Sequence, residues 1–524
     1  METGLQSGQE PVKRWTLKRC LWLCVPALVL GAVLRVGFLA AVPQVYYGSD
    51  SNSYFYTCSA LWNEHRVTLP AKRRYLYPLL MTTLPALPGS PAVAVAVMQH
   101  AVGLLTLVGI GWVTGSLVRR KVIWVPAVTL LAAVWPRMLW YEHELMAEPF
   151  VLAMFVLAVA LSLPVAGLRC GRRFLWFLWA AALIMAFKPH GRPIWLALVF
   201  LGLWMSWRGF PWNRKHALAA GVSAFLVLTG GSNSQGAWLF LNSALPLVQL
   251  DGEKWREYRE ILRPMVEESR SDLLNYATRQ RVYKKTLNST DRSNSLGQEW
   301  VRLCKDPVMY GKVAGSLAVE AVLSAPGTYA GMVTRKILLA FSNEQVSAFA
   351  PARFWKKQEE LNRDRWEERR RELELLYNTD RAGYDRMVAE GAAKRFWVSD
   401  WESRFKKLLS WTVYEPGVEG GAPRIRPTWM GGLVALGLLA TLRRVWWRGA
   451  AFVWVPAVFY LVLTYAVGDS IPRYVHPVEW CGMVLMALGG ESVLDALGWG
   501  WRVVAGRKSS EPRSALPEKL PVSG

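Results

Sequence analysis

The chain has 524 residues, of which 52% are hydrophobic and only 19% charged, and its formal net charge is +23. The apolar residues gather in long blocks instead of spreading at globular spacing, which excludes an ordinary soluble fold and points to a lipid bilayer as partner. The positive charge does not imply nucleic acid, because Lys and Arg fall mostly in short clusters at the ends of the apolar blocks.

A segment embedded in lipid must satisfy its backbone internally and cross roughly 30 Å of hydrocarbon, which takes about 20 apolar residues as a helix. Runs of this kind lie at 21–42, 91–118, 122–137, 146–166, 174–187, 193–207, 216–231, 429–442, 450–467 and 475–497. They predict an all-α polytopic membrane protein of about ten transmembrane helices. The first run, broken only by Arg35, follows Lys13, Arg14, Lys18 and Arg19 and reads as an uncleaved signal anchor. With the N-terminus inside, the clusters around Arg119/Arg120/Lys121, Arg172/Arg173, Arg214/Lys215, Arg443/Arg444 and Arg507/Lys508 all become cytoplasmic. The stretch 313–341 is interrupted by Glu320, Pro326-Gly327 and Arg335-Lys336 and reads as interfacial or soluble.

Four segments follow: an N-terminal membrane domain (1–231), a large, mainly helical extracytoplasmic loop domain (232–428), C-terminal membrane helices (429–508) and a disordered cytoplasmic tail (509–524). Within the loop, the dense Glu/Arg/Lys content of 356–377 suits a solvated helix. The 28 tryptophans sit largely at span ends, as interfacial belts do. Six scattered cysteines form no Cys-x-x-Cys pair, and a divalent metal on His143, Glu144 and His190 is an alternative that no tight ligand spacing supports, so no cofactor is certain.

This topology places four polar stretches on the outer face, where they are expected to converge. Residues 46–78 carry Asp50 and Tyr54, then Arg73-Arg74-Tyr75-Leu76-Tyr77-Pro78. Residues 137–148 carry His143, Glu144 and Glu148, the last two sharing a helical face if the fourth span begins there. Residues 188–193 hold Lys188 and Arg192, and residues 468–477 hold Arg473 followed by Tyr474; Lys188, Arg192 and Arg473 are cations where the charge rule predicts few.

In these motifs the chain resembles the GT-C superfamily, the membrane glycosyltransferases that include aminoarabinose transferases and protein O-mannosyltransferases. Asp50 with Tyr54 and the later Arg-Arg-Tyr-Leu-Tyr-Pro run looks like the first outer loop of that family, whose acidic residue is the catalytic base. Those enzymes carry an Asp-Glu doublet where Asp50 is flanked by serines. Leu-Met-Ala-Glu, ending at Glu148, is similar to the acidic motif of the second loop. Arg192-Pro193 and Arg473-Tyr474 resemble positions associated with the donor phosphate. The resemblance implies a polyprenyl-phosphate sugar donor, a glycan, lipid or protein acceptor, and a bacterial inner membrane with the active site facing the periplasm or exterior. It implies Asp50 and Glu148 as catalytic groups, with Tyr54, Arg73, Arg74, Tyr77, His143, Glu144, Lys188, Arg192, Arg473 and Tyr474 against substrate. The rival readings are a transporter or flippase, which would place ionisable residues near mid-membrane, and a non-catalytic scaffold.

Overall fold

The computed structural model describes residues 15–41, 43–45, 76–83, 90–163, 171–206, 239–273, 295–304, 307–341, 411–415, 424–441, 447–468 and 474–504, with single residues between them such as Ser51, Tyr54 and Cys58. The described chain is almost wholly helical. Its membrane-type helices are α1 (Leu17–Ala41), α3 (Pro91–Leu117), α4 (Lys121–Val134), α5 (Pro136–Glu142), α6 (Glu148–Ser162), α7 (Gly171–Phe187) and α8 (Arg192–Ser206). A short α2 (Leu76–Thr82) precedes α3. Helices α9 (Arg256–Ser271), α10 (Ser295–Cys304), α11 (Pro307–Ser324) and α12 (Pro326–Ala340) follow, then strands β1 (Thr412–Glu415) and β2 (Arg424–Pro427), and α13 (Trp429–Thr441), α14 (Trp447–Val467) and α15 (His476–Val504).

Four helices are long and apolar enough to cross a membrane, within α1, α3, α14 and α15, and a bent pair, α4 with α5, makes a fifth; α6, α8 and α13 are shorter apolar helices. That is the span count among the described residues, against the ten expected; most of the run 216–231 lies outside them. The predicted run 122–137 is two helices meeting at 53°. Pro136 causes the break: it supplies no N–H to continue α4 and drives Trp135 to extended backbone, φ −67° and ψ 117°. Helix α3 starts cleanly because Ser90 accepts from the Ala92 amide at 3.2 Å and Pro91 occupies the first turn.

Bundle packing rests on close backbone approach. A Cβ on Gly437 of α13 would lie 1.9 Å from the Leu485 carbonyl of α15, and one on Gly489 would lie 2.2 Å from the Leu433 carbonyl. Small residues at such crossings let apolar helices gain dispersion contact that lipid tails would otherwise supply. The outward faces carry Trp22, Leu105, Phe200 and Leu439, each more than 60% exposed, the surface expected to meet hydrocarbon. The tryptophans depart from the belt expectation in part, because Trp135, Trp300 and Trp480 are fully buried and serve as core.

Residues 239–332 enclose a second core around Phe240, Leu262, Trp300 and Leu317. Val333, Ala340 and Trp411, by contrast, belong to the core of the bundle. Strands β1 and β2 pair antiparallel, Thr412 opposite Pro427, and deliver the chain into α13. The charged stretch 356–377 lies outside the described residues.

Candidate functional site

Helices α1 and α5 end, and α3, α6 and α15 begin, at one end of the bundle, and there the polar side chains turn inward. Arg35 of α1 donates through Nε and Nη2 to Glu142 Oε2 and Oε1 of α5, both at 2.6 Å. His100 Nδ1 of α3 lies 3.0 Å from Glu142 Oε2, and His100 Nε2 lies 2.9 Å from His143 Nδ1. An ionised carboxylate can only accept, so Nδ1 of His100 carries a proton toward Glu142; with a neutral His100, Nε2 then accepts from His143. All four residues are at most 3% exposed. Gly103 makes room for the carboxylate: a Cβ there would lie 2.1 Å from Glu142 Oε1.

A second layer ties this network to the loops. Gln99 of α3 donates to the carbonyls of Glu142 (2.9 Å) and Glu144 (2.7 Å), and Tyr77 of α2 donates to Gln99 Oε1 at 2.6 Å. Burial pushes the Tyr77 phenol well above its ordinary range, with the neighbouring Tyr54 adding to the effect, so it stays a neutral donor. Tyr54 packs edge-on against Tyr77 with centroids 5.0 Å apart.

The four polar stretches read from the sequence do meet. Ser51, of the first stretch, donates to the Leu145 carbonyl of the second at 3.0 Å. Glu148 of the second pairs with Lys188 of the third, both buried. Lys188 Nζ sits 5.9 Å over the Tyr474 ring of the fourth, on which His190 stacks at 5.4 Å. Tyr141 meets His476 at 4.9 Å, and Arg137 of α5 donates to Glu479 of α15 at 2.8 Å.

Of the predicted site residues, Tyr54, Tyr77, His143, Glu144, Glu148, Lys188, Arg192 and Tyr474 are therefore at this end, with Arg192 half-buried at the start of α8. Asp50, Arg73, Arg74 and Arg473 lie outside the described residues. One expectation changes. Glu144 and Glu148 do not share a helical face, because α6 begins only at Glu148, with Pro149 in its first turn. His143 points into the bundle against Phe38, ring centroids 4.2 Å apart, while His190 is exposed on Tyr474, so the two do not share a metal site. Among the described residues no cluster of three His, Cys, Asp or Glu groups is set to hold a metal. Sequence reading passed over Arg35, Gln99, His100, Gly103, Glu142 and Glu479. The available signal was an ionisable or amide residue within an apolar run, which is costly in lipid unless partnered.

Comparison with known proteins finds no matching family model, no matching curated protein and no matching solved structure. The fold and site thus define a class, a helical protein built for a membrane with a buried polar centre at one end of its bundle.

Proposed function

We propose that the protein is an inverting glycosyltransferase that moves a sugar from a polyprenyl-phosphate donor to an acceptor at the extracytoplasmic face, with about ten spans as its apolar runs imply. The observation that carries the reading is that Ser51 meets Leu145, Glu148 meets Lys188, Lys188 meets Tyr474 and Arg137 meets Glu479 at one end of the bundle. The half-buried Arg192 opens α8 two residues after the exposed His190, which stacks on Tyr474 beside the Lys188–Glu148 pair, a placement that suits a phosphate held at the lipid boundary. In the step, the Asp50 carboxylate takes the acceptor hydroxyl proton as that oxygen bonds the anomeric carbon. The bond from that carbon to the phosphate oxygen breaks, and its electron pair leaves with the polyprenyl phosphate, whose charge arginines neutralise. Glu148, already paired with Lys188, orients that cation.

The test incubates purified protein with a panel of polyprenyl-phosphate sugars and follows release of the lipid phosphate. Asp50→Asn is expected to lower turnover per folded molecule by about 10²–10⁴, the usual worth of a general base, with donor affinity retained. Near-normal turnover in that variant removes Asp50 from the mechanism. The sidedness is checked in the same protein: reporter fusions after Arg120 and Arg448 are expected to read cytoplasmic, and an external reading at Arg448 overturns the topology. A transporter or flippase is the second reading, favoured by the broken pair α4 and α5. It moves the intact lipid-linked sugar and releases no lipid phosphate.

A further inference from the structure

The end of helix α14 is held by side chains 129 to 225 residues away in the chain. The last carbonyls of an α-helix have no partner within the helix, and they carry the negative end of its dipole. Here side chains from residues 242–336 take them. Asn242 donates to the Val467 carbonyl at 3.2 Å, Ser243 to Ala466 at 2.6 Å, and Tyr329 to the same Ala466 carbonyl at 2.8 Å. Lys336 of α12, wholly buried, donates from Nζ to the carbonyls of Gly468 (3.2 Å) and Tyr465 (3.4 Å), to Ser243 Oγ (2.5 Å) and to the Asn242 carbonyl. Gly468 closes the last turn onto Thr464 at 2.7 Å, and a Cβ at that position would lie 2.7 Å from the same carbonyl.

From that turn a packed path leads to the site. Tyr465 meets Tyr474 edge-on at 6.4 Å; Tyr474 stacks on His190 and lies under Lys188, and Lys188 pairs with Glu148. A buried ammonium is tolerable only when its hydrogen bonds are made, so the seam is held as a unit or lost as one.

We propose that Lys336 is a positioning residue: with Asn242, Ser243 and Tyr329 it locks α12 and the turn at 240–244 to the end of α14 and thereby places Tyr474 against Lys188 and His190. The extramembrane segment is thus a working part of the site, a statement that rests on the donor-binding reading only where affinity is measured. The experiment uses the full chain in nanodiscs, with undecaprenyl phosphate as probe and hydrogen–deuterium exchange as a ligand-free readout. Lys336→Met is expected to raise exchange across residues 464–475 while leaving α3 unchanged, and to weaken probe binding about tenfold, the loss of roughly 1.4 kcal/mol. Lys336→Arg, which keeps the charge, restores both in part. If Lys336→Met does not fold, Ser243→Ala with Tyr329→Phe removes both donors to Ala466 and is read in the same way. Unchanged exchange at 464–475 together with unchanged affinity, whatever happens to thermal stability, overturns the proposal. If the wild-type protein does not bind the probe, the donor reading falls, and local exchange alone decides the positioning role: a rise in the variant supports it and no rise refutes it.

Discussion

At one end of the bundle, Arg120 meets Glu491 at 2.7 Å and Asp495 at 2.9 Å, while Arg119 meets Asp495 at 3.5 Å. At the other, Arg35 meets Glu142 at 2.6 Å. The side chains of Arg119 and Asp495 are 62% and 29% exposed, those of Arg35 and Glu142 2% and 4%, and Glu491, beneath the partly exposed Arg120, is itself buried. That difference decides what each contact does. An exposed pair that opens returns its charges to water, and its net contribution is small. A buried pair that loses one member strands the other in a medium that cannot solvate it. The exposed Arg119–Asp495 contact therefore adds little to holding the α3–α4 turn on α15, whereas the buried Arg35–Glu142–His100 network joins α1, α3 and α5 through groups that cannot be left unpaired.

The sharpest way to break this contrast is Glu142→Ala, which leaves Arg35 and His100 buried without their carboxylate. The expected loss is about 3–5 kcal/mol of stability, enough to lower the yield of folded protein, and is measured by thermal unfolding in detergent. The double variant Arg35→Met with Glu142→Met is expected to recover most of that loss, because no charge remains stranded. If the double variant is no better than the single one, the network contributes through shape and not through charge. A smaller effect is expected from Tyr77→Phe, which leaves Gln99 Oε1 without its donor at a fully buried position. The cost should be about 1–3 kcal/mol in the same measurement. Arg119→Ala, at the exposed end, is expected to leave the unfolding midpoint unchanged at moderate salt. A large drop there would show that the two ends do not differ as described.

The outer-end stretches were legible as unusual because they place ionisable residues beside apolar runs; Glu148 and Lys188 were singled out on that ground, and Tyr474 through its resemblance to a family motif. Their partners were only partly legible. Nothing in the order of residues says that Lys188 pairs with Glu148 and not with a ligand, since that depends on where α6 and α7 cross. Arg35 was visible only as a break in the first run, and Glu142, 107 positions away, was overshadowed by its neighbours Glu144 and Glu148. Helix boundaries failed for a local reason. Pro136 ends α4 within a run that hydropathy alone treats as continuous, and the same bend carries Glu142 inward.

Composition and the spacing of apolar runs by themselves determined that the chain is helical and suited to lipid, because each span must satisfy its own backbone wherever its neighbours lie. The clusters of Arg and Lys marked the ends of those spans for the same local reason. Tertiary structure alone decided which charges neutralise one another, that Gly103 leaves space for a carboxylate, and that Lys336 reaches the end of α14. Each of these depends on distances between segments far apart in the chain, and a buried charge takes its meaning from the one partner packed against it.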